Sequence, residues 1–165
     1  MSRVFIGLGS NEGDRLAELS RAIEALAQTP GIRVAQLAPI YETEPIGGPP
    51  QSEFLNTVVE LETELPPHEL LAALKAIECR AGRRPSGERW GPRVLDLDIL
   101  LYDDRILNSE ALTIPHLRMH QRWFVLEPLA QLAPELRHPV LRQTIAELLE
   151  QLPRPAEDPV ASALL

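Results

Sequence analysis

The order of elements legible in this sequence predicts an α+β fold: a ferredoxin-like βαββαβ sandwich, an antiparallel sheet with helices packed on it, plus C-terminal additions. Three observations carry that expectation. β-prone runs stand at residues 3–8, 33–42, 54–63 and 94–101. Apolar residues recur at three- and four-residue spacing over 14–28 and again from Pro66 to Gly82, between the first and second and between the third and fourth of those runs. The chain has 165 residues, 44% apolar and 24% charged, enough for one core, and shows no linker that would separate two.

Val4, Ile6 and Leu8 alternate with Phe5 and lead into Gly7-Leu8-Gly9-Ser10-Asn11-Glu12-Gly13-Asp14. A dinucleotide-binding loop needs its third glycine one residue earlier, and no phosphate-loop lysine follows. The segment therefore reads as a strand exit in which Asn11 or Asp14 caps the next helix. Leu16, Leu19, Ile23 and Leu26 give that helix its apolar face, and Pro30-Gly31 closes it. Pro39, late in the second strand, marks an edge or a bend. Thr43-Glu44-Pro45-Ile46-Gly47-Gly48-Pro49-Pro50-Gln51 is a loop of the kind that carries function.

The third strand places Leu55, Thr57, Val59 and Leu61 on one face, and Phe54, Asn56, Val58 and Glu60 on the other. Asn56 beside Phe54 suits a flat heteroaromatic ligand that wants stacking and amide hydrogen bonds. It equally suits an amide tying down the preceding loop. Pro66-Pro67 opens the second helix, with Leu70, Leu74, Ile77 and Ala81 as its buried stripe and Gly82 as its end. Cys79 on this helix is expected to be a buried structural thiol; as the single cysteine it excludes an internal disulfide and a thiolate metal cluster.

Residues 83–93 form an arginine-rich loop in which Trp90 is a candidate lid or stacking residue. In the strand that follows, Asp96 and Asp98 share one face while Leu95, Leu97 and Ile99 share the other. Residues two apart on a strand lie roughly 6.5 Å apart, close enough for both carboxylates to meet one site of hard cations. Solvent exposure or pairing to the nearby arginines is the alternative. Beyond a turn at Tyr102-Asp103-Asp104 the sequence predicts a short polar stretch, a mixed segment over 123–132, and a last helix over 141–152 from Leu141, Ile145, Leu148 and Leu152. Residues 1–152 form one domain, and the proline-rich tail, 153–165, is expected to be poorly ordered. His116 and His120 stand four apart like zinc ligands, but no further ligand at suitable spacing joins them.

A formal charge of −8 argues against nucleic-acid binding. Positive charge is local instead: Arg80, Arg83, Arg84, Arg89 and Arg93 cluster, Arg118 and Arg122 follow, and Lys75 is the only lysine. Guanidinium forks suit phosphate or carboxylate. With no apolar run near ~20 residues and no leader, the expectation is a cytoplasmic protein that neither enters a membrane nor binds nucleic acid.

Several blocks together resemble the 6-hydroxymethyl-7,8-dihydropterin pyrophosphokinase family of folate biosynthesis. They are Ile6-Gly7-Leu8-Gly9-Ser10-Asn11, Tyr41-Glu42-Thr43 through Gly47, Phe54-Leu55-Asn56, Arg89-Trp90-Gly91-Pro92-Arg93-Val94-Leu95-Asp96-Leu97-Asp98-Ile99, and Leu112-Thr113-Ile114-Pro115-His116. The fourth block is highly specific and the first is weak alone. The resemblance implies transfer of pyrophosphate from ATP to the pterin alcohol, with Asp96 and Asp98 holding two Mg²⁺ ions. It further implies that Arg83, Arg84 and Arg93 contact phosphates, that His116 and Arg122 lie on the ATP side, and that Ile99 and Thr113 lie near the nucleoside. Phe54 and Phe124 correspond to the aromatic pair around the pterin, Asn56 to its hydrogen-bonding partner, Thr43 and Ile46 to the loop side, and Trp90 to a closing lid. Asp96 also falls beside the pterin. The chain departs from the family pattern at Pro85, where a second basic residue is often found and Arg84 stands in, and at Leu117 after His116. The implied partners are small molecules acting on a monomer. The alternatives are another Asp-x-Asp nucleotide transferase or a non-catalytic ferredoxin-like binding module.

Overall fold

The computed structural model describes residues 1–43, 53–82, 94–153 and 161–162. It is a mixed α/β fold built on an antiparallel sheet. In chain order the elements are β1 (Ser2–Ser10), α1 (Arg15–Gln28), β2 (Ile32–Leu37), β3 (Ile40–Thr43), β4 (Phe54–Thr63), α2 (Pro67–Arg80), β5 (Asp96–Tyr102), β6 (Leu107–Asn108), β7 (Thr113–Ile114), α3 (Trp123–Leu132), α4 (Ile145–Glu150) and β8 (Ala161–Ser162). A 3-10 turn at Met119–Gln121 precedes α3. The main sheet runs β5-β1-β4-β3-β8, with β2 also pairing to β4, and β6 and β7 form a small separate hairpin.

Both faces of the sheet are covered, so strand residues of either parity are buried. One layer gathers Val4, Ile6, Val59, Leu61, Leu97 and Ile99 under Leu19 and Leu26 of α1 and Leu70, Leu74 and Ile77 of α2. The other gathers Phe5, Val58, Leu100 and Leu101 under Val125, Leu126 and Leu129 of α3 and Ile145 and Leu148 of α4. β5 serves both layers through a bulge: Phe5 opposes Leu101 and Ile6 opposes Ile99, leaving Leu100 as the extra residue. Leu100 and Leu101 thus both reach the second layer.

Asp14 caps α1, its carboxylate accepting from the Ala17 N–H at 3.2 Å. Leu16, expected on the apolar face, is 50% exposed; Leu19, Ala22 and Leu26 make the buried stripe. The single strand expected over 33–42 is two strands on the same partner. Pro39 has no N–H for the ladder, and the Thr57 hydroxyl lies 3.1 Å from the carbonyl oxygens of both Ala38 and Pro39, stitching the break to β4. The third strand, 54–63, occupies the predicted residues with the predicted faces.

Several expectations need correction. Cys79 is exposed, because two residues on from Ile77 carries a side chain about 200° round the helix. The mixed segment over 123–132 is the helix α3, which keeps its course despite Pro128 because its apolar face is buried on the sheet. The last helix is shorter than 141–152: Arg142 takes φ 61°, and the helix begins only after Thr144, which forms a reciprocal capping box with Glu147. The β6–β7 hairpin is too short to show a period in sequence. Ala161–Ser162, in the tail, pairs with Ile40 and Tyr41 of β3.

Candidate active site

One row of residues crosses four strands. Asp96 on β5 opposes Gly9 on β1, Gly9 opposes Asn56 on β4, and Asn56 opposes Tyr41 on β3. Two residues along β1 from Gly9, Asp98 opposes Gly7, which opposes Val58. Side chains of one parity project on the α3 side here, so the carboxylates, Phe54, Asn56, Tyr41 and Thr43 share a face. The two glycines clear the middle of it. A Cβ at Gly9 would lie 2.9 Å from Asn56 Oδ1 and 3.6 Å from the Phe54 ring.

Asn56 is buried, and its Nδ2 donates to the Thr43 hydroxyl at 2.5 Å. The amide therefore ties the end of β3 to β4, which was one of its two sequence readings, while its carbonyl end faces Gly9. Phe54 opposes Thr43 across the same strand pair. At the start of α3, the Arg122 guanidinium lies 5.8 Å from the centroid of the Phe124 ring. Trp123 meets Phe124 and Tyr41 edge to face, at 6.4 and 6.5 Å between centroids.

The electrostatics converge on Arg122. Burial pulls its pKa down, Asp98 pulls it back up, Arg118 lowers it and Asp96 raises it again. An arginine stays cationic through such a balance, so Arg122 stands as a positive charge within the field of both carboxylates. His116 is held at about 4 by burial first, then by Arg122 and Arg118. Its Nδ1 accepts the Arg118 backbone N–H at 3.2 Å, and the His116 backbone N–H donates to the Leu100 carbonyl at 2.9 Å. It is a neutral imidazole at physiological pH, fixed beside the β5 bulge.

Asp96 is half-buried and Asp98 exposed. The pair offers hard oxygen ligands from neighbouring positions on a strand that is hydrogen-bonded to the sheet, opposite glycines that block nothing. This donor set fits Mg²⁺, which takes one or two carboxylates and fills its other positions with water and phosphate oxygens. Among the described residues no group of three or more His, Cys, Asp or Glu side chains could hold a metal, so the fit rests on the pair.

Of the residues singled out from sequence, Asp96, Asp98, Thr43, Phe54 and Asn56 come together on the sheet face, with Phe124 and Arg122 at the start of α3, which packs over β3 and β4. Thr113 lies half-buried on β7, which packs against β5. Ile99 is 4% exposed and points into the opposite layer, away from both aspartates. Its side chain is a core residue, and only its main chain can meet a ligand. Arg83, Arg84, Pro85, Trp90, Arg93 and Ile46 lie outside the described residues.

Sequence reasoning missed Glu78. This side chain of α2 is buried, and its Oε2 accepts the N–H of Leu97, the residue between the two aspartates. A signal existed: Glu78 falls four residues after Leu74, on the buried side of the helix, where a carboxylate without a purpose is rare. Tyr41 and Trp123 were also passed over, because only the strand register and α3 bring them to the site.

Comparison with known proteins places the chain among transferases built on this fold. A family model described as 7,8-dihydro-6-hydroxymethylpterin-pyrophosphokinase (HPPK) matches residues 5–134. The chain belongs to that family. A Methylorubrum extorquens 2-amino-4-hydroxy-6-hydroxymethyldihydropteridine pyrophosphokinase is 45% identical over 152 residues, 92% of this chain and 94% of the relative. The Pseudomonas aeruginosa protein of the same name is 43% identical, covering 93% of each chain. The folic acid synthesis protein fol1 of Schizosaccharomyces pombe is 44% identical over 149 residues, but this chain spans only 20% of its length. In fold, the chain is similar to the crystal structure of wild-type Plasmodium falciparum HPPK-DHPS with pteroate: TM-score 0.72 and 16% identity over 91% of this chain and 42% of that one.

Proposed function

We propose that this chain transfers pyrophosphate from ATP to 6-hydroxymethyl-7,8-dihydropterin in folate biosynthesis, releasing AMP and the pterin diphosphate. Family membership supports the reaction. The observation that supports the assignment of residues is the row Asp96, Gly9, Asn56 and Tyr41, which sets an acidic pair at one end of a cleared sheet face and an amide and aromatic rings at the other.

The pterin hydroxymethyl oxygen attacks the β-phosphorus of ATP, the bond to the α-phosphate oxygen breaks, AMP leaves, and the hydroxyl proton is released. In such a transfer the protein contributes position and charge stabilisation. Phe54 and Phe124 hold the faces of the pterin ring, Asn56 and Thr43 its polar edge, and the main chain and side chain around Ile46 the loop side. Arg122 and His116 face the triphosphate, with Arg83, Arg84 and Arg93 as further cations and Trp90 on the lid. With Nδ1 accepting from Arg118, neutral His116 carries its proton on Nε2 and donates a hydrogen bond from there without adding charge. Thr113 and the main chain of Ile99 lie toward the nucleoside. Two Mg²⁺ ions held by Asp96 and Asp98 would neutralise phosphate charge when bound.

The ferredoxin-like reading is supported by the strand order: with β2 and β3 counted as one broken strand, the sheet is antiparallel with the first and third strands central. The protein is read as a monomer acting on two small molecules, ATP and the pterin alcohol. The compartment proposed is the cytoplasm, where ATP is made available; no helix among the described residues is long and apolar enough to cross a membrane.

One assay tests the reading. Protein, Mg²⁺, ATP and 6-hydroxymethyl-7,8-dihydropterin together should yield AMP and the pterin diphosphate in equal amounts. ADP as the sole nucleotide product, or hydrolysis of ATP indifferent to pterin, would overturn it.

A further inference from the structure

Trp123 is the first residue of α3, and its half-buried indole meets two rings edge to face: Tyr41 at 6.5 Å and 89°, and Phe124 at 6.4 Å and 85°. The two neighbours differ in how firmly they are held. Tyr41 is 4% exposed and sits in the β3–β4 ladder opposite Asn56. Phe124 is only partly buried, packed against the edge of the second core layer, and its helical turn lacks two of the usual ties. The N-cap residue Arg122 makes no capping side-chain hydrogen bond, and Pro128 has no N–H to offer the Phe124 carbonyl. That same turn carries the Arg122 guanidinium over the Phe124 ring.

We propose that Trp123 is a positioning residue for the pterin slot: its indole transfers the rigidity of the sheet row, through Tyr41, to the Phe124 ring and the first turn of α3. The inference rests on the pterin and ATP reading above. Trp123 acts through Phe124, which forms one wall of the slot, so its loss weakens pterin binding first. ATP feels the change less, because Arg122 is one of several groups on the phosphate side. An aromatic side chain at position 123 keeps the two edge contacts, and an aliphatic one loses both.

The test uses the full chain with Trp123→Leu, Trp123→Phe and Tyr41→Leu, and measures binding of a non-hydrolysable ATP analogue alone and then of 6-hydroxymethyl-7,8-dihydropterin to that complex. Two aromatic pairs correspond to roughly tenfold in affinity, so Trp123→Leu should weaken pterin binding about tenfold while analogue binding stays within about twofold. Trp123→Phe should recover most of the loss. Should Trp123→Leu fail to fold by circular dichroism, Tyr41→Leu, which cuts the link at its sheet end, carries the same expectation. Pterin affinity unchanged in the folded Leu variants, or equal losses for pterin and ATP analogue, overturns the inference. Wild-type protein that forms no AMP in the presence of pterin overturns the proposed function instead.

Discussion

Glu78 Oε2 accepts the backbone N–H of Leu97 at 2.8 Å, and both residues are buried. β5 is the end strand of the sheet, and such a strand presents unpaired peptide groups on its outer side. α2 covers that side, and its one buried carboxylate takes the peptide N–H lying between the two aspartates. The acidic pair is thereby held from both edges of its strand, by β1 and by α2.

Replacing Glu78 tests this anchorage. Glu78→Ala leaves a buried N–H without its acceptor, which costs about 1–3 kcal/mol. Glu78→Gln retains an acceptor oxygen and should lose less than half as much. Urea unfolding gives both numbers. ATP–Mg²⁺ affinity should fall in the alanine variant and largely recover in glutamine. Identical behaviour of the two would show that the charge, and not the hydrogen bond, matters.

Gly9→Ala places a Cβ 2.9 Å from Asn56 Oδ1. The amide cannot simply turn away, because its other end is engaged by Thr43. The expected result is a pterin affinity lowered by about tenfold, on the order of the 1–1.5 kcal/mol carried by one displaced hydrogen-bonding group. Calorimetry with pterin checks it; ATP-analogue binding serves as the control.

Asp96→Asn and Asp98→Asn keep size and remove charge. Each should lower kcat by at least about a hundredfold, since charge stabilisation is the protein's main contribution to such a transfer. Thermal stability should hold or rise slightly, because neither side chain belongs to the apolar core. A variant at both positions with wild-type turnover would falsify their placement at the reacting phosphates.

Acid should weaken the fold through two imidazoles. Burial is the first cause that lowers the pKa of each, followed by Arg122 and Arg118 for His116 and by His120 for His138. Each Nδ1 accepts backbone N–H groups: Arg118 for His116, and Val140 and Leu141 for His138. A proton there would abolish that acceptance. The folded value lies below the ordinary 6.5, so the contribution is complete above pH 6.5 and declines as pH falls, for His116 down to about 4. His138→Asn retains an acceptor without the titration. Its urea midpoint should fall less than that of wild type between pH 7 and the acid limb.

The periodicity of the chain by itself determined the strand at 54–63 with both of its faces, the helix stripes Leu19–Leu26 and Leu70–Ile77, and the shared face of Asp96 and Asp98. These are local properties: a period of 2 or 3.6 residues states which side chains travel together before any partner is known. The resemblance of the glycine, asparagine, arginine-loop and Asp-x-Asp blocks, in order along the chain, was enough to name the family. What period cannot encode is register. That Asp96, Gly9, Asn56 and Tyr41 form one row depends on pairing between residues as far apart in the chain as Gly9 and Asp96. The same holds for Glu78 reaching Leu97 from a different element, and for Trp123 finding Tyr41 once α3 packs on the sheet. Pro39 and Pro128 make a related point: proline forbids one hydrogen bond locally, and only the surrounding packing decides whether the strand breaks, as at Pro39, or the helix continues, as at Pro128.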